Sequence, residues 1–454
     1  MGDRRLSDLI EGFRTGRVDR RNFVIRATAL GLSASTIGGV MRAAAQDASP
    51  DAAAGGELSP ETIGMEGIPH STDTSKGTIN LYSSWPMSGA SEQIGGDCAA
   101  SVQLAVDLWG GAAGGFAINY TPLDDGLAAN NGAWDGAVEA ENCAQVLNDE
   151  DAVAYIATFN SGAAEVAIPI MNEGGMGMIS PANTAIQLTK EHPTNPEGYP
   201  DVLYPTGTRN YMRVVPSDDL QGAAGANHAF NELGRTRAFV LHDNQTYGKG
   251  VAQVFSDTFE ELGGEVLGFE AFDPNAPEYQ ALMTRIASLG PDILYLGAIV
   301  NLNGSKLMQD MRTVMPADQV TFMGPDGLIN QAFVDGAGDA AQGALITFGG
   351  LPPDALEGAG AVWADMMRES VNREPDAYSS YAFEAAVVVL QAIDQVGEKD
   401  RAAIMEAMWN TENFRGLSNT WSFTDTGDKD SASISVSEVI DGVITFSSII
   451  TPPE

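Results

Sequence analysis

The sequence predicts an α/β protein of two doubly wound lobes, each built on a parallel sheet, joined by a multi-strand hinge. From residue 77 onward, short apolar runs alternate with helical patterns, and this alternation stops once and restarts. Strands that alternate with helices at this spacing are typical of βαβ units and a parallel sheet. The break falls in "TKEHPTNPEGYPDVLYPTGTRNYMRVVPSDDLQG", where prolines and glycines interrupt any period. Two such lobes would face each other across a cleft at the carboxyl ends of their strands, where open α/β sheets bind ligands.

The first stretch of alternation contains three strands and three helices before the break. The strands are "TINLYSSW", "FAINYTPLDD" and "AVAYIATF". The helices are "CAASVQLAVDLWGG", "AVEAENCAQVLNDE" and "AAEVAIPIMNEGG", two of which end at the glycines that commonly close helices.

The second stretch repeats the pattern and then returns to the first lobe. Its strands are "RAFVLHD", "EVLGFEAFD", "DILYLGAIV" and "QVTFMGPD", with helices "GVAQVFSDTFEELGG", "YQALMTRIASLG" and "GSKLMQDMRTVM" between them. "ALITFGGLPPD" then crosses back, "AYSSYAFEAAVVVLQAIDQVG" is a long helix, and the tail predicts strands and hairpins. We therefore assign residues 77–212 and 351–418 to lobe 1, and residues 213–350 and 419–454 to lobe 2. The hinge is expected near residues 213–216, 348–352 and 417–420.

The N-terminal residues have the composition of an export signal followed by a linker. Arg20 and Arg21 precede an apolar segment at 27–40 and three alanines at 43–45, the order of a cleaved signal. The apolar part is too short and too rich in small residues for a membrane span. Its arginine pair resembles a twin-arginine signal, so we predict that residues 1–45 direct export to the periplasm or cell exterior, with a non-exported basic helix as the alternative. Residues 46–76 are rich in Ala, Gly, Ser, Pro and acid, which predicts a flexible linker.

Composition and motifs exclude several function classes. The net charge of −37 argues against non-specific nucleic-acid binding, which requires clustered Lys and Arg, and favours solubility. The four histidines have no metal-like spacing with Cys or acids. No Gly-x-Ser-x-Gly elbow is present, and "YGKGV" places Gly250 where a phosphate-binding loop needs Ser or Thr. We therefore predict a protein that is not an enzyme and that has neither a metal nor a cofactor.

The two cysteines allow two outcomes. Cys98 and Cys143 both lie in predicted helices that follow successive strands. An oxidising compartment permits a disulfide between them. Helices on opposite faces of a doubly wound sheet would instead leave two buried free thiols.

Small polar residues and carboxylates follow the strands of both predicted lobes. Ser161 begins a helix, whose N–H groups and dipole attract an anion, and Ala182 and Thr184 begin the next segment in the same way. In the second lobe, Asp326 ends a strand and could hold an ammonium group, while Tyr247 offers a phenol or an aromatic wall. A cap or turn explains each residue alone. Their joint occurrence at strand ends predicts a ligand site.

Six segments in consistent order resemble the periplasmic branched-chain amino-acid-binding proteins, the receptors of ABC importers. They are "PMSGASEQIG", "AYIATFNSGAAEVAIPIMNEGGMGMISPANT", "RVVPSDDLQG", "VLHDNQTYGKG", "FMGPDGLINQAFVDGAGDAAQGALIT" and "AYSSYAFEA". The resemblance covers nearly all of residues 77–430 and implies the fold of a type I periplasmic binding protein.

The resemblance also implies residue roles. The family's carboxylate- and ammonium-binding positions fall on Ser161, Ala182 and Thr184, its tyrosine on Tyr247, and its ammonium-binding acid, usually Glu, on Asp326. The position of a second family tyrosine is occupied by Ile299, and that of an aromatic lid by Ile94. Asn301, Asn303 or Tyr378 would therefore have to replace the contacts that the two aromatic residues make in the family. The expected pocket lining comprises Ile94, Phe159, Asn160, Asn183, Ile299, Asn301 and Tyr378.

The function implied is that of an extracytoplasmic solute-binding protein of an ABC transporter. Its ligand would be a branched-chain or other amino acid, or a related amide or small carboxylate, bound between the lobes and delivered to the permease. Two alternatives remain at this point: a ligand-binding sensor for a signalling partner, and an exported hydrolase on an α/β scaffold.

Overall fold

The structure is a computed structural model that describes residues 58–431 and 433–453. Up to the break the elements are β1 (Thr78–Ser84), α1 (Glu92–Leu108), β2 (Ala112–Ala113), β3 (Phe116–Leu123), β4 (Gly126–Leu127), β5 (Ala133–Trp134), α2 (Gly136–Asn148), β6 (Ala152–Ala157), α3 (Ser161–Glu173), β7 (Gly177–Ser180) and β8 (Tyr211–Arg213). The next elements are α4 (Asp218–Asn227), β9 (Arg237–His242), α5 (Thr246–Glu261), β10 (Glu265–Ala271), α6 (Gln280–Leu289), β11 (Ile293–Gly297), α7 (Gly304–Val314), β12 (Thr321–Gly324), α8 (Gln331–Ala337) and β13 (Leu345–Gly349). The last are α9 (Ala359–Val371), α10 (Ser379–Val396), α11 (Arg401–Trp409), β14 (Phe414–Arg415), β15 (Thr420–Trp421), β16 (Ile434–Ile440) and β17 (Val443–Ile450).

Two sheets organise these elements. The first has the order β2-β3-β1-β6-β7-β8, and the second has the order β10-β9-β11-β12-β13-β16-β17. Neighbouring strands are parallel except at one edge of each sheet, where β2 pairs antiparallel in the first and β16 and β17 in the second. Every residue of β6 and of β11 is buried, as expected for strands covered on both faces. The predicted α/β class with two parallel-sheet lobes is confirmed.

Helices cover both faces of the first sheet and thereby separate the two cysteines. Helix α1 packs against the long helix α10, whereas α2 packs against α3. Cys98 of α1 and Cys143 of α2 lie in different core clusters, and both are buried free thiols. The disulfide outcome is therefore wrong, because the two helices lie on opposite faces of the sheet.

Within residues 58–431 and 433–453, the chain passes between the two sheets three times. It leaves the first sheet after β8 and the second after β13. The third passage was expected near residues 417–420, and that position is wrong. Thr420–Trp421 pairs with Phe414–Arg415, and Nε1 of Trp421 donates to the carboxylate of Glu384 in α10 (3.0 Å). The passage therefore follows Trp421 and precedes β16, while the lobe boundaries as a whole stay a prediction.

Residues 58–76 are anchored on the first lobe, so the linker prediction is wrong for them. Leu58 and Ile63 are buried, and the amide of Met65 donates to Oε1 of Gln391 (2.8 Å). Nζ of Lys76 donates to the carbonyl of residue 397 (2.7 Å). The anchoring depends on scattered apolar side chains and on hydrogen bonds to distant segments, so it leaves no periodic pattern in the sequence. Residues 46–57 of the predicted linker and the predicted signal at 1–45 lie outside the described residues.

Candidate ligand-binding cleft

A small cavity lies between the lobes, beside the loops that follow the strands. Its lining comprises Ser91, Ile94, Phe159, Asn160, Ile299, Val300, Asn301, Asp326, Gly327, Ile329, Asp376 and Tyr378. The space open to the centre of a water molecule is about 20 Å³, room for about one water. The lining combines aliphatic and aromatic side chains with two carboxylates and contains no Lys, Arg or His. Such a cavity favours a ligand with an apolar part and a positive charge.

The structure brings together most of the predicted lining and adds to it. Predicted and observed around the cavity are Ile94, Phe159, Asn160, Ile299, Asn301, Asp326 and Tyr378. The sequence did not single out Ser91, Val300, Gly327, Ile329 and Asp376. The predicted residues Ser161, Ala182, Thr184 and Tyr247 are buried next to these loops without forming the cavity wall.

The first loop begins helix α3 and is covered by an aromatic ring. Ser161 is the first residue of α3, and its Oγ accepts a hydrogen bond from the amide of Ala185 (3.3 Å). At Gly162, a Cβ atom would lie 2.4 Å from Cζ2 of Trp134, so only glycine allows this approach. Trp134 also packs in one apolar cluster with Tyr247 and Ile299 of the second lobe. It is therefore a functional candidate that sequence reasoning missed.

The second loop, which follows β7, satisfies most of its own polar groups. Oγ of Ser180 accepts hydrogen bonds from the amides of Ala182 (3.1 Å) and Asn183 (2.9 Å). The amide of Ala182, which was expected to attract an anion, therefore already has an acceptor. The hydroxyl of Thr184 is buried without a partner among the described residues. The same hydroxyl lies near the carboxylate of Asp218 in α4 and lowers the pKa of that acid.

Asn183 is the one predicted lining residue that the cavity does not include. Its Nδ2 donates to the carbonyl of Phe159 (2.9 Å), and its Oδ1 accepts from the hydroxyl of Tyr211 (3.0 Å). The side chain is fully buried and ties the two loops to each other. Its role is to position the loops, since its hydrogen-bonding groups are occupied within the protein.

Asp326 is buried at the second-lobe wall of the cavity and is held by two donors. Its Oδ1 accepts hydrogen bonds from the hydroxyl of Tyr247 (2.7 Å) and from Nε2 of Gln221 (2.6 Å). Burial raises the pKa of Asp326 to about 6, and the two hydrogen bonds oppose this rise. The amide of Gly327 donates to the same Tyr247 hydroxyl (2.8 Å), so the phenol links the acid to its own turn. Tyr247 therefore positions Asp326.

Helix α4 supplies a second buried acid that sequence reasoning missed. Asp218 is fully buried, and neither of its carboxylate oxygens has a hydrogen-bond partner among the described residues. Its amide donates to the carbonyl of Thr184 (2.8 Å), which places the start of α4 against the second loop. Burial raises the pKa of Asp218 well above its usual value, and the neighbouring Asp326 raises it further. This burial could not be predicted from the sequence, because acids at helix starts are usually exposed caps.

Asn301 connects the two lobes across the cleft. Its Nδ2 donates to Oγ of Ser91 (3.0 Å) and to the carbonyl of Asn131 (2.9 Å), both in the first lobe. Asn303 instead donates to the carbonyl of Ala276 (3.0 Å) within its own lobe. Of the three residues considered as compensating groups, Asn301 and Tyr378 thus line the cavity and Asn303 does not.

Thr246 and Tyr378 make further contacts beside the cleft. Oγ1 of Thr246 at the start of α5 donates to Oε2 of Glu165 in α3 (2.8 Å), a further hydrogen bond between the lobes. The ring of Tyr378 packs edge-on against Phe159, with centroids 4.9 Å apart, and against Phe348 at 5.2 Å. The Asn301, Thr246 and Phe348 contacts join the two lobes, whereas the contact of Tyr378 with Phe159 lies within lobe 1.

A larger open groove of about 870 Å³ lies elsewhere on the first lobe, lined in part by residues 65–69. It includes Asp394 near the end of α10, roughly 20 Å along that helix from the cavity at its start. The Asp394 carboxylate there already accepts hydrogen bonds from Trp109 and the amide of Gly114. Within residues 58–431 and 433–453, no group of three or more His, Cys, Asp or Glu could hold a metal ion. No helix in this part of the chain is long and apolar enough to cross a membrane.

The two sheets and the closed acidic cavity between them define a two-lobed solute-binding protein. The family model described as "Periplasmic binding protein" matches residues 79–442, and the chain belongs to this family. Its relatives are substrate-binding proteins of transporters rather than enzymes, which confirms the prediction of a non-enzymatic protein and implies export to the periplasm.

Relatives and solved structures agree with this assignment. The leucine-, isoleucine-, valine-, threonine- and alanine-binding protein of Pseudomonas aeruginosa is 25% identical over 77% of this chain and 87% of its own length. Leu/Ile/Val-binding protein homolog 1 of Brucella abortus is 27% identical over 60% of this chain and 68% of its own. The leucine-binding protein LivK of Thermotoga maritima superposes with a TM-score of 0.71, at 25% identity, over 83% of this chain and 99% of its own. The same fold occurs in an R. palustris protein solved with benzoate, at 19% identity and a TM-score of 0.69, over 83% of this chain and 97% of its own, so the fold alone does not specify the ligand.

Proposed function

We propose that this chain is the extracytoplasmic receptor of an ABC transporter, that it binds an amino acid between its lobes, and that it delivers this ligand to the permease. The observation that carries the proposal is Asp326, a buried acid in the wall of a cavity without basic residues. An ammonium group is the ligand group that satisfies such an acid. The names of the Pseudomonas and Thermotoga relatives, which state amino-acid ligands, support the same class.

The remaining walls fit the other parts of an amino acid. Ile94, Ile299 and Ile329 offer an aliphatic surface for a side chain. Behind the first-lobe wall, the buried residues Ser161 and Thr184 supply hydroxyls at the start of α3 and after β7, where a carboxylate would bind once the lobes have opened. The R. palustris protein of the same fold was solved with benzoate, yet benzoate has no positive charge that could bind to Asp326. An amino acid therefore fits the cavity better than an amide or a simple carboxylate does.

Ligand binding would require the lobes to open and close. The cavity holds about one water, so no amino acid enters without movement. The three passages between the sheets, after β8, after β13 and before β16, form the hinge. A ligand that contacts both lobes stabilises the closed state by its higher affinity for that state. For export, we propose that residues 1–45 act as a twin-arginine signal that is cleaved after Ala45.

A thermal-shift screen of residues 46–454 against amino acids, their amides and small acids tests the proposal. A true ligand raises the melting temperature in a concentration-dependent way. The affinity of the best ligand for Asp326→Ala is then measured by calorimetry. This substitution should weaken binding by roughly 2–4 kcal/mol, or about 30- to 1000-fold, because the buried ammonium group loses its partner. Asp318→Ala, at an exposed acid of the same lobe, is the control and should bind like the wild type. Unchanged affinity in Asp326→Ala would overturn the ammonium site.

A further inference from the structure

Two carboxyl groups share one buried region at the second-lobe end of the cleft. Asp218 and Gln221 are three residues apart in α4 and therefore lie on the same side of the helix. Nε2 of Gln221 donates to Oδ1 of Asp326 (2.6 Å), so Gln221 joins the helix to the second acid. Both acids are almost completely buried, with exposed fractions of 0% for Asp218 and 4% for Asp326.

Among the described residues, no cation forms an ion pair with either of the two acids. The charged and titratable groups around them are Asp219, Lys190, Arg213, Tyr211, Tyr247, Tyr295, Tyr381, Asp428 and, in the same cavity wall as Asp326, Asp376. Arg213 donates through Nε to Asp428 (2.5 Å) and through Nη1 to the carbonyl of Ala185 (2.8 Å). Lys190 is paired with Asp219 (2.8 Å). Both nearby cations thus have other partners.

The unpaired polar atoms around the acids are acceptors. Both carboxylate oxygens of Asp218 and Oε1 of Gln221 are buried without a partner among the described residues. A ligand group that carries a positive charge and several N–H donors would satisfy them. Without such a ligand, two neighbouring buried carboxylates cannot both be ionised at low cost, and a pair of this kind holds one proton in common.

We propose that Asp218 is a second carboxylate of the ligand site and that an arriving ammonium group displaces the proton that Asp218 and Asp326 share. This inference rests on the proposed function, since it concerns the same site. Before binding, the pair consists of one carboxylic acid and one carboxylate. After binding, two carboxylates flank one ammonium group, and one proton has passed to the buffer. Affinity therefore rises with pH until both acids are already ionised in the free protein.

Calorimetry in two buffers of different ionisation heat measures the released proton directly. With the best amino acid near neutral pH, the wild type should release up to one proton per ligand. Asp218→Asn should release none and bind at least tenfold more weakly, because a carboxylate has become a neutral amide. Asp318→Asn, at an exposed acid of the same lobe, should keep the proton release of the wild type. No release by the wild type, or full release by Asp218→Asn, would overturn the inference.

A ligand-free arm separates this inference from the proposed function. The stability of the free wild type, measured by urea unfolding, should fall as pH rises and the shared proton is lost, whereas Asp218→Asn should show a smaller fall. If no amino acid binds, the proposed function is overturned, and this arm still decides whether the two acids share a proton. If an amino acid binds and the two proteins have the same pH dependence, the shared proton is overturned and the proposed function stands.

Discussion

Replacing Asn301 by alanine should loosen the closed state without disturbing the ligand's own contacts at Asp326. In the closed structure, Nδ2 of Asn301 donates to Ser91 (3.0 Å) and to the carbonyl of Asn131 (2.9 Å) across the cleft. A neutral hydrogen bond contributes about 0.5–1.5 kcal/mol, and because Asn301 is half-buried we expect a total of about 1–2 kcal/mol. The open state has no such bonds to lose. Asn301→Ala should therefore weaken ligand affinity by about 5- to 30-fold.

The control is Asn303→Gly, which removes an asparagine that bonds only within its own lobe. Asn303 has a φ of 62°, a left-handed conformation that glycine adopts freely. Affinity is measured by calorimetry, and the compactness of the free protein by small-angle X-ray scattering. Asn301→Ala should be less compact than the wild type, and Asn303→Gly should not. Equal affinity for Asn301→Ala and the wild type would refute the view that these interlobe bonds stabilise the closed state.

Three further outcomes follow from the packing. Gly162→Ala should destabilise the fold by about 1–3 kcal/mol in urea, because its Cβ would meet Trp134, and an unchanged midpoint would contradict this. Burial raises the pKa of Glu139 from 4.5 to about 7. The contribution of Glu139 to the stability of the folded state is therefore complete below about pH 4.5 and is lost as pH rises to about 7. Glu139→Gln should lose less stability than the wild type as pH rises. Equal pH profiles of unfolding stability for the two proteins would contradict this. Finally, the thiols of Cys98 and Cys143 should react with a thiol reagent only after unfolding, and rapid reaction of the folded protein would show that they are accessible.

Much of the fold could be predicted because buried parallel strands leave a strong signal. The runs "AVAYIATF" and "DILYLGAIV" correspond to β6 and β11, which are buried at every position, and the helices between strands show a regular period. Helices α4, α8, α9 and α11 were not singled out. Three of these four are short, and α4 begins within the irregular stretch where the alternation breaks. The third passage between the sheets was misplaced because the pairing of β14 with β15 depends on contacts with α10.

The candidate site was predicted only in part, because its geometry depends on contacts between distant segments. Asp326 and Ile299 follow strands, where open sheets place their ligand sites, and their positions could be inferred. Gln221 and Asp326 are 105 residues apart in sequence, so nothing local shows that they touch. Asp218 resembles a helix cap in sequence, yet it is fully buried. Trp134 lies in a two-residue strand that has no periodic pattern.

The most direct test of the central claim compares three ligands that differ only in their charged groups. They are the tightest amino acid from the screen, its deaminated acid, and the amine that remains when its carboxylate is removed. If Asp326 holds an ammonium group, calorimetry should show the deaminated acid binding at least 100-fold more weakly than the amino acid, because buried acceptors would be left unpaired. Binding of the deaminated acid with equal affinity would contradict the account.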